Sequence, residues 1–395
     1  MAQISSLYGC HFRSLKEFSL TPAATLNLIV GANGSGKSTL LESIELLTSG
    51  RSHLTRQLRH LVQQPQQQPL ISRAELKESR QGRQQRLAVR VDPVQHYRLQ
   101  IKLNQQFIYR SSTLAQHFPH LLIAPETLQL IDGPPELRRR FMDWLLFYLH
   151  SGYQQLYSDY RRALRQRNQL LKQRDTHQLR FHDAVWETLL AEKGEQIALL
   201  QQQVLEQVLQ QCRKIVNHIE LELPAAVATL RGEGVELEYQ RGWPAGRELL
   251  EIMQQQQQHD LLRGFSSHGP HRADFKLRTV LATAAAATPA RQEWRSVSEY
   301  CSRGEKKRLN ILLLLAQLGL MIERIGAQPI VLVDDLFAEL DRDNGEWLLQ
   351  QLRLSGLQIF MTMTDSELAR QLLQPQRGEK LFHVQQGTVS EVEVV

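Results

Sequence analysis

The 395-residue chain is 42% hydrophobic and 22% charged, the balance of a globular protein with a real core and with room for two domains or one large lobed domain. Three scattered cysteines (Cys10, Cys212, Cys301) argue against a disulfide framework or a zinc motif, and no apolar run is long enough to span a bilayer, so a reducing cytosol is the expected home. The formal net charge of +6 points toward a polyanionic partner.

The N-terminal segment lacks the long apolar core of a signal peptide. Ile4, Leu7 and Phe12, followed by Phe18 and Leu20, predict two opening strands. Leu26, Leu28, Ile29 and Val30 form a short apolar run that reads as a buried strand. Gly31-Ala32-Asn33-Gly34-Ser35-Gly36-Lys37-Ser38 then fits G-x-x-x-x-G-K-[ST], the phosphate loop, at every fixed position. Leu40, Leu41, Ile44 and Leu47 follow at helical spacing, with Thr39 in the first turn. The glycines permit turns that a Cβ would block, and the backbone N–H groups then converge on an anion at a helix N-terminus. Lys37 would reach the β- and γ-phosphates of ATP, and Ser38 would ligate Mg²⁺.

Gly50-Arg51-Ser52 reads as a helix stop and a polar turn. Gln63–Gln68 is a low-complexity loop. Leu87, Val89 and Val91, and then Tyr97, Leu99, Ile101 and Leu103, alternate with polar residues and predict an antiparallel meander. Leu121-Leu122-Ile123 is a further buried strand ending at Ala124-Pro125-Glu126.

Pro134-Pro135-Glu136 starts a long helical stretch reaching about Ile219. Phe141, Leu145, Leu149, Leu156, Tyr160 and Leu164 mark one long amphipathic helix. Ile197, Leu200, Val204, Val208, Cys212, Ile215 and Ile219 mark a second, with a polar connection at Gln173–His177. Between Pro135 and Thr176 there are nine Arg/Lys and four acids, an excess of five. Such a run is either a solvated, ion-paired face or a contact surface for duplex phosphates. On the second reading Arg138, Arg139, Arg161 and Arg165 are the candidate DNA contacts. Few aromatics interleave with them, so base stacking is not the mode expected there.

Val235, Leu237 and Tyr239 alternate before the Arg241-Gly242-Trp243-Pro244 turn. Gln254–Gln258 and Ala282–Ala290 read as surface loops, and Ile311–Ile322 as a core helix. Ile330–Val333 is a buried strand ending in Asp334-Asp335; Leu357, Ile359 and Phe360 make another, ending in Thr362-Met363-Thr364-Asp365. Phe382, Val384 and the residues from Val389 close with a hairpin. An apolar strand ending in acids is the usual partner of a phosphate loop: Asp334 would join the Mg²⁺ shell and Asp335 would orient or deprotonate the attacking water. His268 and His271 lack further ligands nearby, and no second acidic cluster suggests a nuclease.

Ser302-Arg303-Gly304-Glu305-Lys306-Lys307 opens a helix about thirty residues before Asp334 and is similar to the signature motif of ATP-binding-cassette ATPases. Together with Phe12-Arg13, Gly50-Arg51-Ser52, Gly133-Pro134-Pro135, Arg138-Arg139-Arg140-Phe141-Met142-Asp143, Gln166-Arg167-Asn168, Gly269-Pro270-His271-Arg272 and Asp334–Asp341, the chain resembles the RecF family of bacterial recombination proteins along nearly its whole length. The resemblance implies an α/β fold: an SMC-type phosphate-loop ATPase head, with a mixed sheet and an antiparallel subdomain, interrupted by an α-helical arm. Residues 1–125 and 231–395 would form the head and 126–230 the arm. It also implies a head-to-tail homodimer on ATP binding, slow hydrolysis, duplex or gapped DNA as partner, and cooperation with RecO and RecR in loading RecA. Ser302 and the Gly304 backbone would contact the γ-phosphate in trans, and Asp341 would lie at the dimer seam. Glu126 and Thr364 would stand where transporter cassettes carry their Q-loop glutamine and switch histidine. Glu305, Cys301 and Ser14 depart from the family's usual Gln, Leu and Asn. A transporter cassette would lack the basic arm; a scaffold with structural ATP, or a site completed by another protein, remains the alternative.

Overall fold

The computed structural model describes residues 2–64, 68–78, 84–173, 176–218, 225–231, 234–280, 294–326 and 328–393. Its contacts divide the chain into two compact units, Met1–Leu128 with Gly326–Val395, and Gln129–Ile325. Residues 231–325, which the sequence reading places with the head, thus pack with the helical segment. The expected loop at Ala282–Ala290, and parts of those at Gln63–Gln68 and Gln173–His177, lie outside the described residues.

The first unit holds two six-stranded sheets. One is antiparallel, in the order Leu15–Leu20, Ala2–Phe12, Leu70–Glu78, Gln84–Asp92, Arg98–Leu103, Gln106–Ile108. Its period-2 pattern turns Leu87, Val89, Val91 and Ile101 into the core. The second runs Thr388–Val392, Lys380–Gln385, Leu26–Val30, Ile359–Met363, Ile330–Val333, His120–Ile123, and is parallel apart from the closing hairpin. The phosphate-loop strand lies inside this sheet, buried at all five positions, as a continuous apolar run in a parallel sheet requires.

Register decides where the chemistry sits. Met363 pairs with Val30, and Val333 pairs with both Met361 and Ile123. The carboxyl ends of these neighbouring strands therefore reach one edge together, and the residues after Val30 and Val333 meet there. Ligand sites of open α/β sheets form at this edge. The helix Lys37–Ser49 is buried at every position but Ser38, so Glu42, Ser43, Glu45 and Thr48 are interior polar groups that need partners.

In the second unit the first expected long helix is two, Pro135–Leu149 and Tyr153–Gln173, broken by a turn in which Gly152 has a left-handed backbone. Thr176–Asn217 is the second long helix. Arg303–Ile325, buried from Leu309 through Leu318, packs against it, and Cys212 Sγ lies 3.7 Å from the Leu312 carbonyl oxygen. The strands Val235–Gln240, Asp274–Val280 and Trp294–Ser296 form a small antiparallel sheet. The glutamine tract at Gln254–Gln258 spans the end of the helix Leu249–Gln255 and the start of Gln257–Arg263, with Gln256 at the junction. Glutamine is a good helix former, and Leu249, Ile252 and Met253 bury one face, so packing sets the outcome there.

Candidate functional site

The phosphate loop follows its strand and enters the helix at Gly36, whose φ of 115° lies where L side chains are strained. A Cβ at Gly36 would also sit 2.8 Å from Leu15 Cδ2. Lys37, only 6% exposed, turns its ammonium back along the loop and donates to the carbonyls of Gly31 (2.9 Å) and Ala32 (3.1 Å). Burial pulls the Lys37 pKa down, against the raising effect of the Asp335 and Asp334 carboxylates.

Asp334, after its strand, gathers two hydroxyls on one oxygen. Ser38 Oγ donates to Asp334 Oδ1 at 2.9 Å, and Thr362 Oγ1 donates to the same oxygen at 2.7 Å. The Thr362 oxygen in turn accepts the Asp335 backbone N–H at 2.8 Å. Asp335 has φ 45° and ψ 43°, a left-handed conformation that Asp tolerates better than most residues. Burial raises the Asp335 pKa, as do Asp334 and Glu339, while Lys37 opposes the rise. A carboxyl so placed has the enhanced basicity wanted of a group that takes a proton from water.

A second polar layer backs Asp334. His53 is gripped by Glu45, whose Oε2 lies 2.6 Å from the ring Nδ1 and accepts the His53 backbone N–H at 2.8 Å. The opposite ring nitrogen lies 4.0 Å from Asp334 Oδ2. Burial lowers the His53 pKa, but the Glu45 bond and the surrounding carboxylates outweigh it and the net shift is upward. Thr48 and His120 are 3.0 Å apart in the same layer. Glu42 takes the Arg13 guanidinium at 2.7 Å and the Ser52 hydroxyl, and so joins the Phe12-Arg13 and Gly50-Arg51-Ser52 motifs. Burial drives the Glu42 pKa up despite these donors.

The donor set fits Mg²⁺. Ser38 and Asp334 offer hard oxygens from two elements at one point, beside a loop shaped for phosphates. When bound there, the ion would neutralise phosphate charge. Among the described residues no group of three or more His, Cys, Asp or Glu could hold a metal.

Other expected site residues are placed as follows. Asp341 caps the helix Arg342–Leu354, accepting the Asn344 N–H at 2.9 Å. Glu126 and Thr364 lie just beyond the carboxyl ends of His120–Ile123 and Ile359–Met363. On the second of these strands it is the Thr362 hydroxyl that bonds Asp334. Ser302 and Gly304 belong to the second unit, exposed at the start of Arg303–Ile325. There Glu305 Oε2 accepts both the Ser302 N–H (2.9 Å) and hydroxyl (2.8 Å), and the Glu305 N–H points back to Ser302 Oγ at 3.3 Å. This is a capping box, so Glu305 fixes the Ser302 backbone.

The basic stretch divides in two. Arg138 is buried and bidentate to Asp274 (2.6 and 3.0 Å), with Nη1 donating to the Leu130 and Gly133 carbonyls. It is a structural tie, and its assignment as a DNA contact is corrected. Arg139, half-buried, donates to the Ala273 carbonyl at 3.0 Å. Arg161 and Arg165 are exposed on the helix Tyr153–Gln173. Arg167 is fully buried between Glu187 and Asp260 and also bonds Ser266. Gln166-Arg167-Asn168 is therefore a folding element: Asn168 Oδ1 accepts the Ser266 N–H at 2.8 Å. Gly269-Pro270-His271-Arg272 is another. Gly269 has φ 133°, and a Cβ there would meet the Tyr160 hydroxyl at 2.5 Å; that hydroxyl lies 2.6 Å from His271 Nδ1.

Sequence reasoning passes over Thr362, His53 and Glu45. Thr362 is the polar residue inside the apolar strand Ile359–Met363, next to the strand bearing Asp334, and this could have marked it. His53 and Glu45 carry no comparable signal.

Comparison with known proteins gives the family. Residues 3–390 match the family described as RecF/RecN/SMC N terminal domain. The DNA replication and repair protein RecF of Shewanella woodyi is 32% identical over 385 residues, spanning 97% of this chain and 96% of the relative. That of Thioalkalivibrio sulfidiphilus is 31% identical over 377 residues, 95% and 96% of the two chains. Among solved structures, the recombination mediator protein RecF-ATPrS in the RecFOR pathway superposes with a TM-score of 0.80 at 24% identity, over 99% of this chain and 98% of that one. The Smc head of Pyrococcus furiosus bound to the ScpA C-terminal domain gives 0.54 at 17%, over 100% and 96%.

Proposed function

Because the chain belongs to the RecF/RecN/SMC N terminal domain family, and within it to the RecF proteins of DNA replication and repair, we propose that it is an ATP-gated, DNA-binding recombination mediator. Its fold is the SMC-type cassette ATPase head that the resemblance implies, a mixed α/β architecture with a helical lobe. The observation that carries the proposal is the convergence of Ser38 and Thr362 on Asp334 Oδ1, with Lys37 buried on the phosphate loop beside it. That constellation suits a nucleoside triphosphate with its magnesium.

The proposed cycle follows from what each residue can do. The loop N–H groups and Lys37 hold the β- and γ-phosphates of ATP. Ser38 and Asp334 hold Mg²⁺, and Asp335 takes a proton from the attacking water. Ser302 and the Gly304 backbone, on a capped helix start, contact the γ-phosphate of a second copy, so that ATP closes a homodimer and hydrolysis opens it. Asp341 lies at the seam; Glu126 and Thr364 border the nucleotide. Turnover is slow because Thr364 has no imidazole to assist, and the site times a dimer. Duplex or gapped DNA is the partner, met by the exposed Arg161 and Arg165 and by Arg139. RecO and RecR act with the dimer in loading RecA. No described helix is long and apolar enough to cross a membrane.

The test is mass by light scattering without nucleotide, with ATP, and with ATP plus duplex DNA, for the wild type and Lys37→Met. A dimer that needs ATP, is favoured by DNA and is lost in the variant is expected. A monomer in every condition would remove the trans site.

A further inference from the structure

The solvent face of the six-stranded antiparallel sheet carries a row of side chains that the phosphate-loop chemistry does not use. Strand register sets Phe107 opposite Lys102, Lys102 opposite Ala88, Ala88 opposite Arg73, and Arg73 opposite Tyr8. Alternation puts this row on the face away from the buried Leu87, Val89 and Ile101. Phe107, Lys102 and Arg73 are exposed. Lys102 Nζ lies 4.6 Å from the Phe107 ring centroid, and the Phe107 and Tyr109 rings are stacked at 6.4 Å and 27°. Phe107 is 50% and Tyr109 86% exposed. Farther along, Arg73 Cζ is 6.0 Å from the centroid of Tyr8.

Two features set this row apart from a merely solvated face. Neighbouring Arg86 and Arg90 are ion-paired with Glu75 and Asp92, while among the described residues Arg73 and Lys102 have no carboxylate partner. Phe107 also exposes a large ring on an edge strand, a position usually blunted with charge. From Phe107 to Tyr8 the row spans four strand spacings, roughly 19 Å. Sheets that present aromatic rings in this way stack about two or three bases of an unpaired strand.

We propose that this face binds single-stranded DNA, with bases stacked on Phe107 and Tyr109 and phosphates held by Lys102 and Arg73. Cations beside π-faces match a chain of alternating phosphates and bases. A duplex keeps its bases stacked internally and could not use the rings. The proposal rests on the preceding reading only in taking DNA as the polymer; it adds a site for the unpaired strand on an element apart from the basic helix.

The experiment measures anisotropy of labelled oligo-dT, and of a duplex of equal length, with the full chain. Phe107→Ala with Tyr109→Ala should weaken oligo-dT binding by about tenfold or more and leave duplex binding nearly unchanged. Lys102→Ala with Arg73→Ala should weaken it and reduce the salt slope by about 0.7 for each phosphate no longer neutralised. Photocrosslinking of a bromodeoxyuridine strand to the wild type should label the peptide spanning 106–110, a readout independent of variant folding. Unchanged oligo-dT affinity in both variants, or crosslinks confined to other segments, would overturn the proposal. Equal loss of duplex and oligo-dT binding would overturn the assignment to an unpaired strand. If wild type binds neither DNA, the DNA-binding reading itself fails; if it binds duplex but the face variants leave oligo-dT binding intact, only this site is rejected.

Discussion

Thr362 holds Asp334 by donating its hydroxyl to Oδ1 at 2.7 Å, and through its oxygen the same side chain accepts the N–H of Asp335 at 2.8 Å. One hydroxyl on a neighbouring parallel strand thereby fixes both acids, the first by its side chain and the second by its backbone. The left-handed Asp335 is held in part by that bond. Thr362→Val keeps the shape and removes both bonds. Leaving these buried groups unpaired should cost about 1–3 kcal/mol in urea unfolding and weaken magnesium-nucleotide binding in calorimetry. Unchanged nucleotide affinity would show that the strand alone positions the acids.

Asp335→Asn should retain nucleotide binding, lose hydrolysis and prolong the ATP-bound dimer. Phosphate release and light scattering on one preparation would check this. A protein that uses ATP as a structural ligand would show no difference from wild type in either assay.

Arg138 and Arg161 are predicted to behave in opposite ways. Arg138→Ala strands Asp274 and frees the Leu130 and Gly133 carbonyls, so a loss on the order of 3–5 kcal/mol is expected in denaturant melts. Arg161→Ala with Arg165→Ala should leave the melt in place. It should weaken duplex binding regardless of sequence, and the salt slope should fall by about 0.9 for each phosphate that the side chains cease to neutralise.

The capping box at the signature helix gives a graded prediction. Glu305→Gln can still accept from Ser302 and should leave stability nearly unchanged, whereas Glu305→Ala should cost about 1 kcal/mol in thermal melts. If the glutamine variant is as unstable as the alanine one, the acid has a partner beyond Ser302.

His271 provides a pH test. Burial depresses its pKa to about 4, and the ring is held neutral with Nε2 donating to the Ser266 carbonyl and Nδ1 accepting from the Tyr160 hydroxyl. Between its ordinary value near 6.5 and about 4 the unfolded chain binds a proton that the folded chain refuses. Its contribution is therefore fully present above about pH 6.5 and declines as pH falls toward 4. Urea melts from pH 7.5 to 4.5 should show this decline in the wild type, and a shallower one in His271→Gln.

The strands and the phosphate loop were legible because their signals are local. Leu26–Val30 is apolar apart from Asn27, Gly31–Ser38 has its glycines where the backbone needs them, and Ile330–Val333 ends in acids. The break after Leu149 was hidden, because Leu156 and Tyr160 continue the apolar spacing and only a single left-handed Gly152 interrupts it. The basic excess misled at Arg138, and Arg167, counted in that excess, is likewise internal. A count of charges records no partners, and the residues that bury these two, Asp274, Glu187 and Asp260, are remote in sequence or on another helix.

Contiguous residues alone establish a nucleotide-binding head with a helical insertion, and motif order alone places the chain among the RecF proteins. Phosphate cradles and buried strands are written in short segments whose backbone needs are intrinsic. Packing in three dimensions settles the rest: which hydroxyl meets Asp334, that His53 and Glu45 stand behind it, which arginines are internal ties, and that Phe107, Lys102, Arg73 and Tyr8 form one row. Each of those depends on strand register or on packing between distant segments, and pairing energies between residues far apart in the chain leave no mark on local composition or spacing.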